Sequence, residues 1–95
     1  MTDEVCTAQV TVVNPLGIHA RPSHAIVSTV AAYDAQVTLH CNGRSADARS
    51  ILSVMTLGAV HGAQLELEAR GPQAAEAVAA LAALIRSGFE ELYGK

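Results

Sequence analysis

The sequence predicts an α+β fold: a four-stranded antiparallel sheet covered on one face by three helices, in the order β-α-β-β-α-β-α. Three observations lead there. Segments near residues 6–12, 35–41 and 64–69 alternate apolar and polar residues at the period of a half-buried strand. An Asn42-Gly43 pair marks a tight hairpin that supplies a fourth strand. The remaining segments carry apolar residues at helical spacing, and strands whose apolar sides all face one way need a single helical layer to cover them.

The first strand runs from Cys6 to Val12, with Cys6, Ala8, Val10 and Val12 inward and Thr7, Gln9 and Thr11 outward. Asn14, Pro15, Leu16 and Gly17 break it, because Pro15 cannot donate to a ladder and Gly17 admits backbone angles closed to other residues. A helix then starts at Arg21 or Pro22 and runs to about Tyr33, with Ser23, Ile26, Val27, Val30 and Ala31 at helical spacing. The second strand, Ala35 to Cys41, turns Val37, Leu39 and Cys41 inward, and a short partner from Arg44 to Ala48 returns beside it. Ser50 stands at an N-cap position before a short helix through Leu57 that Gly58 ends. Gln64 to Ala69 is the fourth strand. Gly71 and Pro72 open a final helix with the apolar stripe Ala75, Val78, Leu81, Ala82, Ile85 and Phe89, weakening near Gly88.

Composition bounds the function. The chain has 95 residues, enough for one domain spanning 1–95 and one core. One Phe, two Tyr and no Trp leave no stacking platform for bases, and a net charge of −3 without a basic run argues against nucleic acid as a partner. The longest apolar stretch, Ala74 to Ile85, is interrupted by Glu76 and too short to cross a bilayer. The opening residues Met1, Thr2, Asp3 and Glu4 are polar and acidic, unlike a signal peptide, so a cytoplasmic location with reduced thiols at Cys6 and Cys41 is expected, both on inward strand faces.

His19 carries the candidate chemistry. It lies after a Pro/Gly loop and before a helix, with Arg21 two residues on. A neutral imidazole is a competent nucleophile near physiological pH. The amides and dipole of a helix start attract an anion such as a phosphoryl group, and a guanidinium fork fits phosphate oxygens. Pro22 occupies a first-turn position where its missing N–H costs nothing. A surface histidine is the ordinary reading of any of the four His residues, and it is the one taken for His24, His40 and His61. The loop and helix context sets His19 apart. No metal site is expected, since His19 and His24 lack the i,i+4 spacing of a two-His helix and no Cys or carboxylate completes a set. No carboxylate pair, nucleophile-base pair or Gly-rich nucleotide loop supports a self-contained enzyme, and no cofactor is implied.

The segment Gly17-Ile18-His19-Ala20-Arg21-Pro22-Ser23 resembles the phosphohistidine signature of the HPr family, the histidine-containing phosphocarriers of bacterial phosphotransferase systems. A second block, Ser50-Ile51-Leu52-Ser53-Val54-Met55-Thr56-Leu57-Gly58, resembles that family's regulatory-serine segment, and the resemblance spans roughly Val5 to Phe89. It implies an open-faced β-sandwich and a stoichiometric carrier rather than an enzyme. His19 would accept phosphate on Nδ1 from a phosphoenolpyruvate-dependent enzyme I-type donor, Arg21 would steady it, and EIIA-type proteins would receive it. Ser50 would be a phosphoserine site for an HPr kinase/phosphorylase as well as a helix cap. Ile51, Leu52 and Met55, with Pro22 and Ser23, would meet the partners of a monomeric protein; the plain alternative is that Val54, Leu57 and Leu52 fill core and the others are scattered exposed residues. The chain departs from the family at Ser28, Ala31, Ser53 and His61, where lysines are frequent. The alternative function is a regulatory docking module of the same fold, such as a nitrogen-branch or Ser-phosphorylated HPr-like regulator.

Overall fold

The computed structural model describes residues 5–90. Its elements are β1 (Val5–Thr11), α1 (Ala20–Ala31), β2 (Gln36–Cys41), β3 (Arg44–Asp47), α2 (Ile51–Thr56), β4 (Gln64–Arg70) and α3 (Ala74–Arg86). The expected order and the open-faced sandwich are both present. The sheet runs β1-β4-β2-β3 with every neighbouring pair antiparallel, so the chain's first strand is an edge and its fourth is central. Asn42 and Gly43 turn the β2–β3 hairpin with φ of 53° and 80°, the positive angles that a two-residue loop requires.

One core lies between the sheet and the helical layer. Val10, Val37, Leu39, Leu65, Leu67 and Ala69 point into it from the strands, and Ile26, Val30, Val54, Leu81 and Ile85 meet them from the helices. Cys41 is buried and Cys6 half-buried against this core, both as free thiols. The opposite face of the sheet is open, and apart from Val5 its residues are polar.

Several boundaries and faces differ from the sequence expectation. Helix α1 starts at Ala20 rather than Arg21 or Pro22 and ends at Ala31, with Ala31 exposed and Val27 only half-buried. Its buried set is Pro22, Ser23, Ile26 and Val30, a narrower stripe because α1 meets the core along one edge. Helix α3 begins at Ala74, two residues beyond Pro72: Gly71, at φ 124°, and the N-cap Gln73, at φ −113° and ψ 31°, both stand outside helical backbone. Its buried face is therefore Ala74, Ala77, Val78, Leu81, Ala82, Leu84 and Ile85, while Ala75 is exposed. Phe89 lies past the end of α3 and is nonetheless fully buried, brought back to the core by positive φ at Gly88 and Phe89.

Candidate functional site

His19 sits where β1, the following loop and α1 meet. It is the N-cap of α1, in extended backbone with φ −104° and ψ −158°, and its carbonyl accepts the first helical hydrogen bond from Ser23 N at 2.9 Å. Its side chain makes no capping bond. A Ser, Thr, Asp or Asn cap there would contribute about 0.5–2 kcal/mol, so the imidazole occupies a position that helix stability alone would assign to another residue type. The first amides of an α-helix have no acceptor within their own helix, Pro22 contributes none, and no acidic side chain lies in the first turn of α1. The positive end of the helix dipole is thus uncompensated by any carboxylate of that turn. Arg21 is exposed in the same turn.

The loop before His19 is fastened to the segment after α2. Ile18 N donates to Ala59 O at 2.9 Å, and Gly17, at φ 71°, packs so closely that a Cβ there would lie 2.6 Å from Ala59 O and 2.9 Å from Val60 Cα. Only glycine meets both demands. Helix α2, six residues or about 9 Å long, ends three residues before this contact and packs against α1, the helix that His19 caps.

On α2, Ser50 is the N-cap, its Oγ accepting from Ser53 N at 3.1 Å. Val54 and Leu57 are buried, whereas Ile51, Leu52 and Met55 are exposed, Leu52 to 71%. Leu52 is therefore no part of the core. Pro22 and Ser23, expected among the partner-facing residues, are buried and offer no surface: they lie on the inward side of α1's first turn. Two residues that sequence reading passed over take their place. Leu16 is 76% exposed and Val60 65%, and they flank the tight Gly17–Val60 contact. Leu16 was legible only as a loop residue, and Val60 belongs to no periodic segment. With Ile51, Leu52 and Met55 of α2 they are five exposed large apolar side chains, on α2 and on the two loops that meet at Gly17, two residues before His19.

The other histidines divide. His24 and His61 are exposed, as expected. His40 is half-buried on the open face of the sheet, with Nδ1 2.8 Å from Ser45 Oγ and Nε2 2.8 Å from Glu68 Oε1; Arg70 reaches the other Glu68 oxygen at 3.3 Å. The hydrogen bond from His40 holds the Glu68 carboxyl below its ordinary value, against a raising effect of burial and with help from the Arg70 charge. Among the described residues no group of three or more His, Cys, Asp or Glu side chains is arranged to hold a metal ion, and no helix is long and apolar enough to cross a membrane.

A helix start offering a histidine and an arginine, beside a sheet covered from one side only, is the arrangement expected from the resemblance to small phosphocarrier domains. The chain belongs to the HPr family of the phosphotransferase system: the family model described as "PTS HPr component phosphorylation site" matches residues 6–87. Phosphocarrier protein NPr of Escherichia coli K12 is 42% identical over 83 residues, 86% of this chain and 92% of that protein. Phosphocarrier protein HPr of Vibrio cholerae is 43% identical over 77 residues, 81% and 91% of the two chains. Among solved structures, HPr-C-His of Thermoanaerobacter tengcongensis superposes with a TM-score of 0.84 at 32% identity, covering 88% of this chain and 94% of that one. A second structure of HPr from that organism, TM-score 0.71 at 35% identity over 75% of this chain and 82% of that one, is a dimer.

Proposed function

We propose that this chain acts as a single cytoplasmic phosphocarrier domain in which His19 Nδ1 accepts a phosphoryl group from a phosphoenolpyruvate-dependent enzyme I-type donor. It passes the group to EIIA-type acceptors, as a monomeric, stoichiometric relay needing no cofactor or metal. The observation that carries this reading is the position of His19: an imidazole at the N-cap of a twelve-residue helix, with a guanidinium and no carboxylate in the first turn. In the transfer, the lone pair of Nδ1 forms the new P–N bond while the bond from phosphorus to the donor's leaving group breaks, that group keeping the electron pair. Charge on the three transferred oxygens is met by Arg21 and the positive helix end. Ser50, at a helix start beside the exposed apolar residues of α2, is the site at which a kinase of the HPr kinase/phosphorylase type would add charge and weaken docking.

The test is incubation with enzyme I and phosphoenolpyruvate, which should add one acid-labile phosphate per chain, absent in His19→Ala. Label that survives in the variant would sink the reading.

A nitrogen-branch role is the second reading, favoured by relatives named NPr and by the absence of lysine from α1 and α2. Identity does not choose between them, being 42% to an NPr and 43% to an HPr. Side-by-side transfer to a sugar-branch and a nitrogen-branch EIIA protein distinguishes the two.

A further inference from the structure

We propose that Asn14 is a positioning residue for phosphotransfer: its side-chain amide locks the peptide that aims His19. This inference rests on the phosphocarrier reading.

Asn14 begins the turn between β1 and His19. The turn is closed by its backbone, with Gly17 N donating to Asn14 O at 3.1 Å. An asparagine that merely stabilised such a turn would use Oδ1 to accept an N–H two residues on. Asn14 does the reverse. Its Nδ2 donates forward to Gly17 O at 2.6 Å, and its Oδ1 is buried without a hydrogen-bond partner. The opposite amide orientation would set two oxygens against each other, so the donor's identity follows from the network. A buried amide satisfied on one side only is poor turn chemistry, and its position accounts for it.

The Gly17 carbonyl that Asn14 holds also accepts His19 N at 3.2 Å. The N–H of the same peptide, at Ile18, donates to Ala59 O at 2.9 Å. The Gly17–Ile18 peptide is a rigid plane, and it is pinned at its oxygen by Asn14 and at its nitrogen by the segment after α2. Its orientation sets the direction in which the chain enters His19. Remove the Asn14 donor and one pin goes, while the sheet, the helices and the turn's own backbone bond remain. Phosphotransfer between two proteins requires in-line alignment of nitrogen and phosphorus, and a misplacement of about 1 Å can cost about a hundredfold in rate.

The test measures rapid phosphorylation by phosphorylated enzyme I in Asn14→Ala, Asn14→Asp and the parent. Asn14→Ala should remain folded by circular dichroism at the assay temperature and should lose about ten- to hundredfold in kcat, with KM changed much less, because the exposed apolar residues are untouched. Asn14→Asp separates hydrogen bonding from shape. Its neutral acid can donate to Gly17 O and its carboxylate cannot, so its rate relative to the parent should fall as pH rises, while the Asn14→Ala deficit stays flat. A parent labelled at His19 beside an Asn14→Ala variant with unchanged kcat would overturn the inference and leave the phosphocarrier reading intact. So would a loss confined to KM, or an Asn14→Asp ratio that does not move with pH. A parent that takes no label at His19 would overturn the phosphocarrier reading itself. If Asn14→Ala proves unfolded, the pH dependence of Asn14→Asp decides the matter alone.

Discussion

Two histidines of one domain show how differently this fold treats the same side chain. His40 stands in mid-strand, where the ladder fixes its backbone and both ring nitrogens are engaged at 2.8 Å, by Ser45 and by Glu68. Its two ring nitrogens find partners on the strands to either side. His19 stands at a joint between elements, where a left-handed glycine, a half-satisfied asparagine and a buried Ser23 hydroxyl without a partner crowd together. Each unmet buried polar atom costs about 1–3 kcal/mol. Such costs persist where chemistry needs the geometry, and among the described residues both buried unpartnered side-chain atoms fall beside His19. The open face is built for stability, the helical end for presentation.

The comparison breaks most sharply under alanine. His19→Ala should abolish phosphorylation altogether, whereas His40→Ala should keep it and lose only a little stability, as mass spectrometry of the labelled proteins and their melting curves would show. Comparable loss of label in both variants would erase the distinction. Arg21→Ala is the next largest effect. Removing a preorganised charge-stabilising group costs on the order of a hundredfold in rate, and as an exposed residue Arg21 should leave the melting temperature within a degree or so. Rates of transfer into and out of His19, measured by quench-flow, would expose a bystander if neither changed.

Most of this division was legible before any coordinates. Period-two alternation placed three strands and Asn42-Gly43 the fourth, because a half-buried sheet and a two-residue hairpin each demand a residue pattern that little else produces. His19 stood out because helix starts and phosphate chemistry share residue types. What sequence could not show was depth. Pro22 and Ser23 are neighbours of Arg21, yet they are buried while it is exposed, in a helix that starts at Ala20, two residues before its proline. Ala75 and Ala74 are chemically identical, and only the start of α3 decides which is buried. Gly17 and Val60 are far apart in the chain and meet in a close backbone approach that no local pattern encodes.

The exposed apolar residues offer a gentler test. Ser50→Asp keeps a good N-cap, so the variant should melt no lower than the parent, because a carboxylate at a helix start is favourable. Its charge beside Ile51, Leu52 and Met55 should nonetheless raise the apparent KM for phosphorylation by enzyme I several-fold. Leu52→Ala and Met55→Ala should act on the same constant through lost apolar contact, Leu52 the more strongly because more of it is exposed. Unchanged KM in all three would return α2 to a purely structural role and move docking to Leu16 and Val60.

The smallest expected effect lies on the open face and runs through pH. Glu68 is held below its ordinary value of 4.5 chiefly by the hydrogen bond from His40, opposed by burial and aided by Arg70. A carboxyl depressed in the folded state binds protons less readily there than in the unfolded chain. Its contribution to stability is therefore present above the unfolded value and lost as pH falls through the folded one. Glu68→Gln has no such term. The parent should melt slightly higher than Glu68→Gln near neutral pH, and the gap should close as pH is lowered below 4.5. The pair is a surface one, so added salt should narrow the gap as well. Phosphorylation of His19 should be the same in both proteins, because Glu68 faces away from the helical layer that carries the site. A slower rate in Glu68→Gln with an unchanged melting curve would mean that partners also read the open face, and the contrast between the two histidines would have to be redrawn.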